Sequence, residues 1–314
     1  MGKEYNTLAF SGGSIRGIAY IGVFKKIEEL ILDRNIDVNK YGIHFDENKC
    51  KIPLFNIKTI CGVSVGSIFS LIYILKYSYI EMLENVLTTN FDKLKDIRIM
   101  NFVNKYGLDN GNNIILWLQS LMTRKNIDYN ITFKGLYDIT SIDYQVMATN
   151  LNKYSYKKFN YIDTPEIKVL DAIRMSISIP FLFTINEYEG DIMVDGSLFD
   201  NYPIKLFKEN LNNVLGLKLI NHGELDSHDV DEPINNIESY IYHILNCYIV
   251  QKEKDTSRSI EYKDCTVYIH TEDIKPSSLN FSLTPQEKNR LVEIGYNAIN
   301  NFFSNVVTNK IIHL

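Results

Sequence analysis

An α/β protein with a mainly parallel central sheet, covered by helices on both faces to make three layers, is the fold class this sequence predicts. Short apolar runs of strand length alternate with longer amphipathic stretches, the order that builds βαβ units. A strand, a sharp glycine turn and a helix follow one another twice within the first 76 residues. A strand, helix, strand succession returns at 214–270.

Tyr5 to Phe10 has strand character and ends at the turn formers Ser11-Gly12-Gly13-Ser14. From Ile15 to Leu32 the positions Ile18, Ile21, Ile27, Leu30 and Ile31 keep an apolar stripe on one helical face. A polar stretch from Asp33 to Lys51 separates this helix from Phe55 to Cys61, a second strand, which stops at Gly62-Val63-Ser64-Val65-Gly66. Ser67 to Leu75 continues as an apolar helix. The middle, Tyr79 to Tyr137, is helical with an interruption at Asp109-Asn110-Gly111-Asn112-Asn113. Tyr144 to Asn150 is a strand, Lys168 to Ser176 a helix, and Ile192 to Val194 a short strand running into Asp195-Gly196. Val214 to Ile220 and Cys265 to His270 are further strands, with an amphipathic helix at Ile237 to Val250 between them. The last helix begins at Thr284-Pro285-Gln286-Glu287, with Thr as N-cap, Pro at the first helical position and Glu closing a capping box. With no internal repeat and no linker-like tract, residues 1–314 are expected to form a single domain. Its motifs lie in 5–220, and the strand and helices of 233–314 pack on them.

A chain of 314 residues, 45% hydrophobic and 23% charged, has the balance of a globular protein with one sizeable core. The formal net charge of -5 provides no broad electropositive field, which argues against a nucleic-acid partner. Ile68 to Leu75, the apolar stretch beside the second glycine turn, ends at Lys76, far short of the roughly 20 residues of a bilayer span. The first residues lack the basic, apolar, small-residue order of a secretory signal, and Asn6 stands where a myristoylation context asks for Ser or Thr. Cys50, Cys61, Cys247 and Cys265 are scattered without a CxxC pair, which argues against zinc and fits reduced thiols. A cytoplasmic location is expected.

Three motifs carry chemistry. Gly62-Val63-Ser64-Val65-Gly66 fits G-x-S-x-G, in which small flanking residues let the chain turn tightly and lift a serine hydroxyl clear of a strand end. Its strand and helix context is what separates it from an ordinary tight turn. Ser11-Gly12-Gly13-Ser14-Ile15-Arg16-Gly17 follows the first strand and opens the first helix, so its backbone N–H groups suit an anion. An oxyanion hole, a nucleotide phosphate loop and a structural turn compete for it. The phosphate loop is disfavoured, because no Lys follows at P-loop spacing and Ser14 breaks a dinucleotide fingerprint. Val194-Asp195-Gly196-Ser197 puts an aspartate at a strand end, held by a pair that elsewhere is most often a plain turn. A serine hydroxyl needs a neighbouring base. The usual imidazole would come from His44, His222, His228, His243, His270 or His313; His222 or His270 could formally satisfy the α/β-hydrolase chain order, and nothing flanking them supports the role. A carboxylate placed directly against the hydroxyl does the same work if it has a raised pKa or a strong geometric advantage.

Taken together and in this order, the motifs resemble the patatin-like phospholipases. The likeness extends through Phe10-Ser11-Gly12-Gly13-Ser14-Ile15-Arg16-Gly17-Ile18-Ala19-Tyr20-Ile21-Gly22-Val23, through Ile173-Arg174-Met175-Ser176-Ile177-Ser178-Ile179-Pro180, and through Asp195-Gly196-Ser197-Leu198-Phe199-Asp200-Asn201-Tyr202-Pro203-Ile204. The resemblance implies Ser64 as nucleophile, Asp195 as general base, an oxyanion hole from the amides of Gly12, Gly13 and Ser14, and no calcium or other cofactor. Gly62 and Gly66 would shape the elbow. Arg16 would orient the loop or meet a lipid phosphate; bonding helix or sheet carbonyls is the alternative. The substrate implied is a membrane lipid or lysolipid, cleaved at its fatty-acyl ester, with peripheral membrane contact through an apolar rim in the Tyr- and Phe-rich middle, for which core packing is the other reading. Two departures stand out: Ser14 replaces the usual third glycine, and Ser197 replaces the Gly or Ala that follows Asp-Gly. If Ser14 takes a backbone angle that suits glycine, the oxyanion hole weakens. That leaves a second reading, a lipid-binding or membrane-associating protein with little turnover.

Overall fold

Alternation along the strands decides the layering, because successive side chains of a strand enter opposite faces of the sheet. The computed structural model of the protein describes residues 4–32, 54–220, 234, 237–271 and 283–312. The polar stretch Asp33 to Lys51, with Cys50, His44, His222, His228 and His313, lies outside the described residues. On β1 (Glu4–Phe10), Leu8 and Phe10 enter the large core, while Ala9 between them joins a smaller cluster on the other face. On β2 (Leu54–Val63), Ile60 does the former, and Cys61 and Val63 join a second small cluster.

The large face is covered by α1 (Ala19–Leu32), α2 (Val65–Ile74), α3 (Tyr79–Thr88), and elements that follow further along the chain. Then come α4 (Ile99–Lys105), β3 (Gly107–Asp109), α5 (Asn112–Arg124), α6 (Phe133–Thr140), β4 (Asp143–Asn150), β5 (Ser155–Phe159) and α7 (Val169–Ser176). They are followed by β6 (Phe181–Phe183), β7 (Asn186–Tyr188), β8 (Asp191–Asp195), β9 (Val214–Ile220), α8 (Ile237–Arg258), α9 (Ile260–Lys263), β10 (Thr266–His270) and α10 (Pro285–Ile312). The opposite face carries a 3₁₀ segment, Pro203–Asn213, whose Ile204 and Phe207 pack with Tyr202 and Tyr262 under Ala9 and Val214.

The sheet runs β10-β9-β1-β2-β4-β8-β7, with β5 also on β4. From β10 to β4 every pairing is parallel; β8, β7 and β5 are antiparallel additions. Register does the positioning. Phe10 lies opposite Gly62, Val63 opposite Met147, and Ala148 opposite Asp195. The ends of four strands therefore converge on one spot, outside the carboxyl ends of the parallel strands, where open α/β sheets bind ligands.

The expected elements recur with three adjustments. The first helix begins as a 3₁₀ turn, Ser14–Ile18, before α1. The amphipathic helix expected at Ile237 to Val250 runs on to Arg258. Strands β3, β5, β6 and β7 are additional: β5 reads SYKKF and is half-exposed, so no apolar run marked it. At the other end the expected capping box is in place, with the Glu287 amide donating to Thr284 Oγ1 at 3.2 Å and the Thr284 amide to the Glu287 carboxylate at 2.7 Å. Among the described residues no helix is long and apolar enough to cross a membrane.

Candidate active site

Strand β2 ends at Val63 and helix α2 starts at Val65, so Ser64 alone makes the turn, at φ 52 and ψ -127. A non-glycine residue in that region is strained and persists only when its surroundings over-determine it. Here they do. The Ser64 amide donates to Ser176 Oγ at 2.9 Å, and the Ser176 hydroxyl donates in turn to the Met147 carbonyl at 2.6 Å. The Ser67 amide and hydroxyl both close onto the Ser64 carbonyl, at 2.9 and 2.6 Å. Gly62 and Gly66 make the turn sterically feasible: a Cβ on Gly62 would come 2.6 Å from the Gly66 backbone, and one on Gly66 2.6 Å from the Ser11 carbonyl oxygen.

Asp195 arrives from β8, its amide bonded to the Ser178 carbonyl at 2.8 Å and its carbonyl accepting from Thr149 Oγ1 at 2.9 Å. Its side chain is buried. Oδ1 accepts from the Ser197 amide at 2.8 Å, and Oδ2 accepts from the Ser64 hydroxyl at 2.7 Å. Burial pushes the carboxyl up to about 6, against the opposing pull of the Ser64 and Ser197 hydrogen bonds. The serine and the carboxylate are thus in direct contact, and no described histidine lines either of the cavities around them. His270 sits exposed at the end of β10, and His222 lies outside the described residues.

The glycine loop lies over this pair with one correction to the expected donor set. The Gly12 amide already donates to the Asn201 carbonyl at 3.0 Å, so it is committed to holding the loop. The amides of Gly13 and Ser14 have no acceptor among the described residues, and both residues line a cavity with Ser64 and Asp195. Ser14 takes φ 53, the left-handed conformation that glycine accepts most cheaply. Arg16 is buried, and its Nε donates to the Gly13 carbonyl at 3.2 Å, which fits the loop-orienting role; it also lines the second cavity.

Two cavities meet at Ser64. The first, about 750 Å³, is walled by apolar side chains including Ile15, Ile68, Phe69, Ile114, Trp117 and Phe183. The second, about 670 Å³, mixes Arg16, Ser197, Asn201 and Asn246 with Ile241, Leu245 and Ile249 of α8.

Reading of the sequence missed Ser176, Ser178 and Thr149 as parts of this site. The signal for the two serines was the Arg-x-Ser-x-Ser-Ile-Pro stretch, but nothing in its spacing says that a hydroxyl at 176 will meet an amide at 64, and Thr149 on β4 carries no signal of its own. Arg174 organises the stretch: its guanidinium donates to the Asn110 carbonyl at 2.9 Å, Ser178 Oγ at 2.5 Å and the Thr184 carbonyl at 3.2 Å.

The patatin-like phospholipase family model matches residues 8–208. The uncharacterized protein R571 of Acanthamoeba polyphaga mimivirus is 31% identical over 303 residues, which cover 95% of this chain and 93% of R571. The probable lipid hydrolase 463L of Invertebrate iridescent virus 6 is 31% identical over 212 residues, 65% of this chain and 63% of that protein, so the match spans less than two thirds of 463L. Among solved structures, VipD from Legionella pneumophila shares the fold, with a TM-score of 0.55 at 16% identity over 96% of this chain and 67% of VipD. A family model that spans the three motifs, and a relative similar along almost its entire length, make this chain a member of the patatin-like phospholipase family.

Proposed function

We propose that the protein is a lipid acyl hydrolase of the phospholipase A or lysophospholipase type, acting through Ser64 and Asp195 in one catalytic domain. The observation that carries this reading is the 2.7 Å hydrogen bond from the Ser64 hydroxyl to the Asp195 carboxylate, at the junction of an apolar and a mixed cavity. Family membership supports it, as does the lipid hydrolase name borne by 463L.

The ionised Asp195 takes the proton as Ser64 Oγ attacks the ester carbonyl, and the Gly13 and Ser14 amides hold the oxyanion. Collapse of the tetrahedral adduct breaks the bond to the leaving alkoxide, which takes the proton back from Asp195. Water then gives its proton to Asp195 and attacks the acyl-enzyme, releasing the fatty acid and restoring Ser64. The apolar cavity suits the acyl chain, and the mixed cavity suits the glycerol side with its headgroup.

Ser64→Ala is expected to lower fatty-acid release from a mixed panel of phospholipids and lysophospholipids by about a thousandfold or more, with the fold unchanged. Labelling by a fluorophosphonate should vanish with it. Unchanged release from the Ser64→Ala protein would falsify the assignment. The strained φ of Ser14 favours a second reading, a lipid-binding protein with slow turnover; labelling of Ser64 without fatty-acid release from any lipid of the panel selects it.

A further inference from the structure

We propose that the face built by α4, β3 and β6 docks the protein onto the anionic leaflet of a lipid bilayer. Helix α4 contains no buried residue, and its Ile99, Met100 and Val103 are 76%, 67% and 67% exposed. Core packing therefore cannot account for its apolar composition. Water is a poor partner for such a cluster, and contiguous apolar surface of this kind marks an interaction site.

The patch is continuous with the site. Phe102 of α4 lies beside Phe181 of β6, with ring centroids 6.5 Å apart, and Phe181 is itself exposed. Two residues on, in the same strand, Phe183 walls the apolar cavity that reaches Ser64. Apolar surface thus runs from α4 over Phe181 to the cavity lining, the route a hydrocarbon chain needs to leave a bilayer for the interior.

Charge selects the occupant. Between residue 91 and the end of β3 at 109, four basic side chains stand against three acidic ones, of which Asp109 is buried, in a chain whose net charge is -5. Lys95 pairs with Asp92 at 3.4 Å and Arg98 with Asp96 at 2.9 Å. Lys105, in the last turn of α4 and exposed, belongs to no ion pair among the described residues. A second copy meeting this face about a twofold axis would set these cations near their own kind, whereas an anionic leaflet accepts cations and apolar side chains together.

The proposal deepens the reading of the site as a lipid hydrolase, and its test measures vesicle binding rather than turnover, so each can fail alone. The full chain should co-sediment with vesicles of phosphatidylcholine and phosphatidylserine in equal parts. Met100→Glu with Val103→Glu should weaken that binding by about tenfold or more. Lys105→Gln should weaken it about fivefold, an effect that disappears on phosphatidylcholine alone. Both variants should keep the wild-type circular dichroism melt and the fluorophosphonate labelling of Ser64. Undiminished binding by the folded Met100→Glu, Val103→Glu protein overturns the proposal, as does a lipid-free dimer of the wild type that this variant dissolves in sedimentation velocity. Vesicle capture that depends on α4, without hydrolysis of any lipid, upholds the docking face and counts against the hydrolase.

Discussion

An aspartate in water titrates near 3.9 and is a weak base for a serine proton at neutral pH. Asp195 is different because burial pushes its carboxyl up to about 6. Hydrolysis is expected to rise with pH through about 6 as one group loses its proton, and a pH profile of fatty-acid release flat between 5 and 7 would count against Asp195 as the base. The same shift works against the fold. A raised carboxyl favours the native state below its unfolded value, and that advantage is lost as pH rises through 6. Asp195→Asn should therefore abolish turnover while adding roughly 2–3 kcal/mol of stability above that pH, with the gain fading as pH falls toward about 4. Melting curves of both proteins across pH check the sign. Ser14, at φ 53, stores strain of about 1–2 kcal/mol that Gly would not. Ser14→Gly should melt no lower than wild type and turn over at least as fast; a slower Ser14→Gly enzyme would mean that the Ser14 side chain itself serves the site.

Elements bring these residues together through contacts that sequence spacing does not announce. Helix α7 supplies Ser176, which accepts from the Ser64 amide, and the turn after it supplies the Ser178 carbonyl that receives the Asp195 amide. Strand β9 carries Lys218 fully buried, in an ion pair with Glu253 of α8, and this ties to the sheet the helix that walls the mixed cavity. Removing one member of a buried pair leaves a charge without its counterpart. Glu253→Ala is expected to lose about 3–5 kcal/mol in urea denaturation, whereas Lys218→Met with Glu253→Leu should lose much less. Equal losses from the single and double variants would show that the pair does not anchor α8. The strand and helix periods were legible because β1, β2, β4, β9 and α10 each carry their own apolar pattern or cap. The 3₁₀ start before α1 and the short strands β3, β5, β6 and β7 were not, because segments of three to five residues are too short to carry a period.

At the scale of the whole molecule, the site exists because the sheet register stacks the ends of β1, β2, β4 and β8 beneath helices that leave two cavities open at Ser64. If the apolar one holds the acyl chain, narrowing it should shorten the chains accepted. Ile114→Trp, on a half-buried wall position of α5, is expected to depress release from long-chain esters more than from short-chain ones, read as the ratio of kcat/KM across a chain-length series. An unchanged ratio would send the acyl chain elsewhere. The sequence by itself determined the α/β class, the two turns and the three motifs, since helix and strand periods, glycine turns and caps are local properties. Only the tertiary structure decided that Ser64 meets Asp195, that the Gly12 amide is spent on Asn201, and that α4 keeps an apolar face in solvent. Those outcomes depend on register and packing between segments far apart in the chain, which no local pattern encodes.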